Sequence, residues 1–180
     1  MRLCWDSYFM ALAKLAAARS GCNSRPTGAV IVKDKRVVAT GYNGSLPGQP
    51  QCTDNDDSYC RRRLVLPDDI GKPKYQECVS IHAEQNAINQ VAKHGGISLV
   101  GSTMYCTLEP CKTCFDNICS VGIVEVVYEY PYSSNDPNRD RFWKELREDK
   151  SVKIRQFRLS FEDMEVIQKI LCFPTSARRL

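Results

Sequence analysis

Thr103-Met104-Tyr105-Cys106-Thr107, then Cys111 to Ser120, then Ile123-Val124-Glu125-Val126-Val127-Tyr128 is the stretch that decides the fold class. The first run reads as a strand and the second as a helix. The third is an apolar β segment of the kind buried in parallel sheets. Upstream, Ile81 to Lys93 reads as a helix that Gly95-Gly96 ends. Further upstream, Gly28-Ala29-Val30-Ile31-Val32-Lys33, a turn at Asp34-Lys35, and Arg36-Val37-Val38-Ala39-Thr40 predict a β-hairpin. The chain opens on an Ala/Leu-rich helix, Trp5 to Arg19, with Trp5, Phe9, Leu12 and Ala16 on one face, Asp6 near its start and Gly21 beyond its end. Downstream come a helix over Asn138 to Asp149 and a strand over Val152 to Phe157. Ser160-Phe161-Glu162-Asp163 then resembles a capping box opening a helix to about Leu171. Helix, hairpin, then strands alternating with helices predict an α/β fold: a three-layer α-β-α sandwich with a mixed five-stranded sheet. One domain is expected over residues 1–180, with its core at about 5–132 and a C-terminal completion at 133–180. Residues Gly41 to Cys78 read as a long loop, which in a compact domain is functional, disordered or pinned.

Composition narrows the function. The 180 residues are 43% hydrophobic and 26% charged, which excludes disordered and collagen-like chains. A net charge of +4 suits a small anionic ligand and is too weak to announce nucleic-acid binding. No apolar run is long enough to span a bilayer, and the N-terminal residues do not form a signal peptide, so a cytoplasmic protein without membrane partners is expected. Ten cysteines in a reducing compartment point to metal ligation rather than disulfides. Any histidine-dependent site must use His82 or His94.

The chemistry concentrates in His82-Ala83-Glu84 and Pro110-Cys111-Lys112-Thr113-Cys114. Cys111 and Cys114 stand at i and i+3, so both sulfurs at one helix start can reach one metal. His82 opens the other helix, and two helix N-termini favour thiolates there. Three protein ligands leave a fourth tetrahedral position, the layout of a catalytic rather than a structural zinc. Glu84, two residues from a ligand, is placed to take and return protons. A lone CxxC would equally suit a structural zinc knuckle, but H-x-E followed by P-C-x-x-C is the pattern of zinc nucleobase deaminases. His94, beside Gly95-Gly96, reads as a charge at a helix C-terminus.

With these motifs, Thr27-Gly28-Ala29-Val30-Ile31-Val32-Lys33-Asp34, Gly41-Tyr42-Asn43-Gly44-Ser45, Ile81 to Ile88 and Tyr105 to Cys111, the chain resembles the deoxycytidylate (dCMP) deaminases of the cytidine deaminase superfamily over about Trp5 to Tyr132. Thr27 stands where that family usually has Val. The resemblance implies hydrolysis of dCMP to dUMP and ammonia, supplying thymidylate synthesis. It also implies a homo-oligomer (hexamer or dimer) regulated by dCTP and dTTP. It makes Asn43 a pocket residue that hydrogen-bonds the sugar, although Asn beside Gly also suits a turn. Arg25 is offered to the substrate phosphate, or else is solvated surface. Tyr130 is offered to the base, or else is an interface aromatic. A second, structural zinc is implied on Cys22, Cys52, Cys60 and Cys78. Such a closed site would pin the long loop, with free thiols or a substituted acid ligand as the alternatives.

Three other readings compete. A tRNA adenosine deaminase shares both zinc motifs but calls for a basic, aromatic-interleaved surface, and Arg61-Arg62-Arg63 is the only dense basic run. A riboflavin-pathway deaminase normally carries a reductase domain that this length does not hold. A non-catalytic zinc scaffold would have no use for Glu84.

Overall fold

The computed structural model describes residues 2–54, 60, 78–132 and 152–172. Its elements are α1 (Trp5–Ala17), β1 (Gly28–Lys33), β2 (Arg36–Tyr42), α2 (Ala83–His94), β3 (Thr103–Leu108), α3 (Lys112–Ser120), β4 (Glu125–Tyr130), β5 (Lys153–Gln156) and α4 (Phe161–Leu171). The expected helix over Asn138 to Asp149 and the Arg61-Arg62-Arg63 run lie outside the described residues.

The β1–β2 hairpin closes through Asp34 and Lys35, both at positive φ (50° and 58°), the turn geometry that matches strand twist. The sheet order is β2-β1-β3-β4-β5. β1 runs antiparallel to β2 and β3, whereas β3, β4 and β5 are parallel, so the sheet is mixed as expected. Along β1 the side chains alternate between two cores. Val30 and Val32 pack with Phe9, Met10 and Ala13 of α1. Ala29 and Ile31 pack with Ala83 and Ala87 of α2 and Phe115 and Ile118 of α3. Helices thus cover both faces, the three-layer arrangement.

Several element boundaries and one helix face differ from the sequence reading. The buried residues of α1 are Ser7, Phe9, Met10 and Ala13, while Trp5 is 43% exposed. The reason is Gly28: a β-carbon there would strike the Ala13 carbonyl, so α1 sits against β1 on its Ala13 side. β4 starts at Glu125 rather than Ile123, because its ladder begins opposite Thr103; Ile123 is buried in the turn before it. β2 continues through Gly41 to Tyr42, shortening the loop that follows. The capping box of α4 forms as expected: Ser160 Oγ accepts from Asp163 N at 3.1 Å, and Asp163 Oδ2 accepts from Ser160 N at 3.1 Å.

A polar cluster ties α1 to the far edge of the sheet. Arg155 on β5 donates from both terminal nitrogens to Asp6 at 2.9 Å and from Nε to Glu125 at 2.8 Å, and Tyr105 donates its hydroxyl to Asp6 at 2.8 Å. Arg155 holds the Asp6 carboxyl below the usual range, with burial opposing.

Candidate active site

The site lies at the C-terminal end of β3, where the chain leaves the sheet to enter α3, facing the start of α2. His82 is the N-cap residue of α2 and Cys111 that of α3, each with extended backbone and no side-chain capping bond. Their side chains are therefore free to turn toward one another. Gly41 allows α2 to sit close: a β-carbon there would meet the Ala83 carbonyl and lie 2.5 Å from Ala87 N. That seat sets His82 and Glu84 against the sheet.

Among the described residues, one tight group of metal-ligating side chains is gathered: His82, Cys111 and Cys114, with ligand atoms all within 4.8 Å of one another. His82 Nδ1 is 3.2 Å from Cys114 Sγ and 3.6 Å from Cys111 Sγ. Tetrahedral zinc with usual Zn–N and Zn–S bonds sets nitrogen and sulfur roughly 3.6 Å apart, so the spacing fits. The charge balance fits as well. The bond from Cys114, with help from His82, holds the Cys111 thiol well below its usual range, against the effect of burial. That bond, burial and the nearby Glu84 push the Cys114 thiol up. Two thiols that resist ionising together are relieved by a divalent cation. His82 is shifted upward by its bond to Cys111, against burial.

Glu84 lies in the first turn of α2, 4% exposed, and burial raises its carboxyl above the ordinary value. With His82 and Cys111 it lines a cavity of about 90 Å³. Cys22, Arg25, Asn43 and Cys78 line the same cavity. Asn43 is buried, and its side chain clamps the chain before β1. Its Oδ1 accepts from Thr27 N at 2.8 Å and Ser20 Oγ at 2.6 Å, while Nδ2 donates to the Arg25 carbonyl at 3.0 Å. Asn43 is thus a loop organiser as well as a cavity wall. Arg25 is exposed at the cavity, with its guanidinium 6.0 Å from the Tyr132 ring centre.

Tyr130 takes a different place from the one expected. It lines an adjoining cavity with Lys14 and Glu129, its ring flanked by Lys14 and Arg158 at 5.4 and 5.5 Å. The aromatic on the wall of the main cavity is Tyr132. The sequence reading ended β4 at Tyr128, two residues short of the observed Tyr130. It also passed over Glu109 and Ser80, which line the cavity too. The position of Glu109 immediately before Pro110-Cys111 was the available signal.

Cys60, Cys22 and Cys78 lie near enough to Cys52 to act on it, but among the described residues only His82, Cys111 and Cys114 bring three ligand atoms within 4.8 Å of one another. Burial pushes the Cys52 thiol up, reinforced by Cys60, Cys22 and Cys78, with Cys60 hydrogen-bonded to it. Cys22 and Cys78 also border the main cavity.

A helix–sheet–helix sandwich that brings His-x-Glu at one helix start against Pro-Cys-x-x-Cys at another is a cytidine deaminase-like domain. The chain belongs to the cytidine and deoxycytidylate deaminase family: a profile described as the cytidine and deoxycytidylate deaminase zinc-binding region matches residues 3–130. It is similar to the deoxycytidylate deaminase of Mycobacterium phage D29, 42% identical over 130 residues, covering 69% of this chain and 93% of that protein. It is also similar to that of Saccharomyces cerevisiae, 38% identical over 172 residues, covering 90% of this chain and 47% of that protein. The chain spans about half the length of the fungal relatives it matches. Among solved structures, the dCMP deaminase of cyanophage S-TIM5 in complex with dCMP and dUMP superposes with a TM-score of 0.63 at 26% identity, covering 87% of this chain and 99% of that one. No helix among the described residues is long and apolar enough to cross a membrane.

Proposed function

We propose that the chain hydrolyses dCMP to dUMP and ammonia, with zinc held by His82, Cys111 and Cys114 and with Glu84 as general acid and base. The observation that carries this reading is the buried Glu84 carboxyl set beside a His/Cys/Cys group whose spacing suits tetrahedral zinc. The names of the relatives, and the ligands of the cyanophage protein, support dCMP as substrate. Arg25 at the cavity supplies a cation for the 5′-phosphate, Asn43 a polar wall for the sugar, and Tyr132 an aromatic wall for the base.

Bound to the trio, zinc supplies a Lewis acid that makes water nucleophilic near neutral pH. Glu84 accepts the proton the attacking water sheds and passes it to ring nitrogen 3 as ring carbon 4 is attacked. Glu84 then carries the second proton to the departing amino group, which leaves as ammonia. The cavity walls hold the base so that these atoms stay within reach of one carboxyl group.

Cys22, Cys52, Cys60 and Cys78 are proposed to hold a second, structural zinc. The nearness of Cys60, Cys22 and Cys78 to Cys52 supports this, as does the closed four-thiolate set they would form. Regulation by dCTP and dTTP, a hexameric or dimeric assembly and a cytoplasmic location belong to the same proposal, on the strength of the family resemblance. The test is ammonia release by the zinc-loaded protein from dCMP, cytidine, dCTP and an adenosine-containing anticodon stem. Turnover of dCMP far above the other three is expected. Preferential turnover of the anticodon stem would overturn the reading.

A further inference from the structure

Glu109 is 8% exposed, lines the main cavity, and has no part in the chemistry described above. Its surroundings show what it does. The β3–β4 ladder is parallel and pairs Leu108 with Tyr130; Glu109 N then donates to the Tyr130 carbonyl at 2.8 Å. In a continuing parallel ladder the next bond would run from Tyr132 N back to the Glu109 backbone carbonyl. Instead Tyr132 N donates to the Glu109 side chain, at Oε2, at 3.1 Å. The carboxylate has taken over a ladder bond. This lets the backbone at Pro110 turn away toward Cys111 and α3 while Tyr132 stays in line with the sheet. Pro131, between the two tyrosines, has no N–H with which to hold the segment.

We propose that Glu109 is a positioning residue that holds Tyr132, and through its ring Arg25, against the cavity for nucleotide binding. This rests on the reading of the cavity as a nucleotide site. The Arg25 guanidinium lies 6.0 Å from the Tyr132 ring centre, so the side chain offered to phosphate rests on an aromatic whose backbone Glu109 fixes. The group that anchors the ring therefore comes from the same short turn as the Cys111 ligand. Ligand geometry and the nucleotide-binding wall are set by one segment.

The test uses the zinc-loaded full chain and two variants. Glu109→Met fills the space with no acceptor, and Glu109→Gln retains a carbonyl oxygen that can accept from Tyr132 N. In Glu109→Met, KM for dCMP should rise about tenfold or more while kcat stays within about twofold, because a hydrogen bond to a charged group is lost from binding rather than from the reacting atoms. Glu109→Gln should recover most of that loss. Exchange of the Tyr132 amide hydrogen, read by NMR, should speed up about tenfold or more in Glu109→Met and stay near the parent rate in Glu109→Gln. Should Glu109→Met fail to fold, Glu109→Asp, which withdraws the carboxylate by one methylene, makes the same comparison against Glu109→Gln. Unchanged amide exchange, a fall in kcat at constant KM, or Glu109→Gln as impaired as Glu109→Met would each overturn the proposal. A parent protein inactive on dCMP would overturn the functional reading instead, and the amide exchange would still decide whether Glu109 holds Tyr132.

Discussion

Gly41→Ala separates the stability of this fold from the geometry of its site. The added β-carbon would meet the Ala83 carbonyl, lie 2.5 Å from Ala87 N and 3.0 Å from Ala87 Cα, all backbone of the first turns of α2. Ordinary carbon contacts are about 3.5–4.0 Å, so α2 must retreat by roughly 1 Å. Overpacking of this kind costs about 1–3 kcal/mol, or a drop in Tm of roughly 3–10 °C for a chain of this size. The same retreat moves His82 and Glu84 relative to Cys111 and Cys114 on α3. A displacement of about 1 Å at reacting groups costs on the order of a hundredfold in rate. Gly28→Ala is the matched control: its β-carbon would meet Ala13 and lie 2.5 Å from Ala17 N, so it displaces α1, which carries none of the trio. The assay is thermal unfolding together with kcat/KM for dCMP on both variants. Comparable losses of Tm are expected, with the large loss of kcat/KM confined to Gly41→Ala. A folded, destabilised Gly41→Ala protein with parent turnover would refute the reasoning, as would equal catalytic losses in the two variants.

Arg25→Ala should shrink the preference for dCMP over deoxycytidine in kcat/KM by about tenfold to a hundredfold, the worth of a charge-assisted phosphate contact; equal losses on both substrates would remove Arg25 from that role. Cys78→Ser should lower zinc by elemental analysis from two per chain to one, and a parent saturated at one zinc would rule out the second site. Arg155→Met should lower Tm by about 2–4 °C near neutral pH, on the basis of about 1 kcal/mol for a part-exposed ion pair. Because Asp6 is held below its ordinary value, that contribution is complete above the usual carboxylate range and is lost as pH falls through the folded-state value. Parent and variant should therefore converge in acid; a difference that persisted or grew there would contradict the sign.

Much of the site was legible because its chemistry is local. Cys111 and Cys114 lie within one helical turn, and His82 and Glu84 within another, so pattern alone placed the pieces. What brings the two turns together is legible only after the fact. It takes a glycine at Gly41 under α2 and a parallel register that ends β3 at Leu108. The end of β4 has the same origin. Ending β4 at Tyr128 treats an apolar run as a strand, whereas the ladder runs from Glu125 to Tyr130 and leaves Tyr132 as the first side chain free to face the cavity. α1 was read by the helical spacing of its larger residues, but it is rich in alanine on several sides, and the sheet chose the Ala13 side through Gly28. The Asp6–Arg155 pairing joins residues near the two ends of the described chain, and no local pattern announces it.

The most direct measurement of the central claim is ammonia release from dCMP by zinc-loaded parent and Glu84→Ala proteins, with zinc content and Tm determined on the same samples. The account predicts that Glu84→Ala keeps the zinc and the fold and loses nearly all turnover, because the one carboxyl that carries both protons is gone. Turnover near the parent rate in a zinc-loaded, folded Glu84→Ala protein would contradict it.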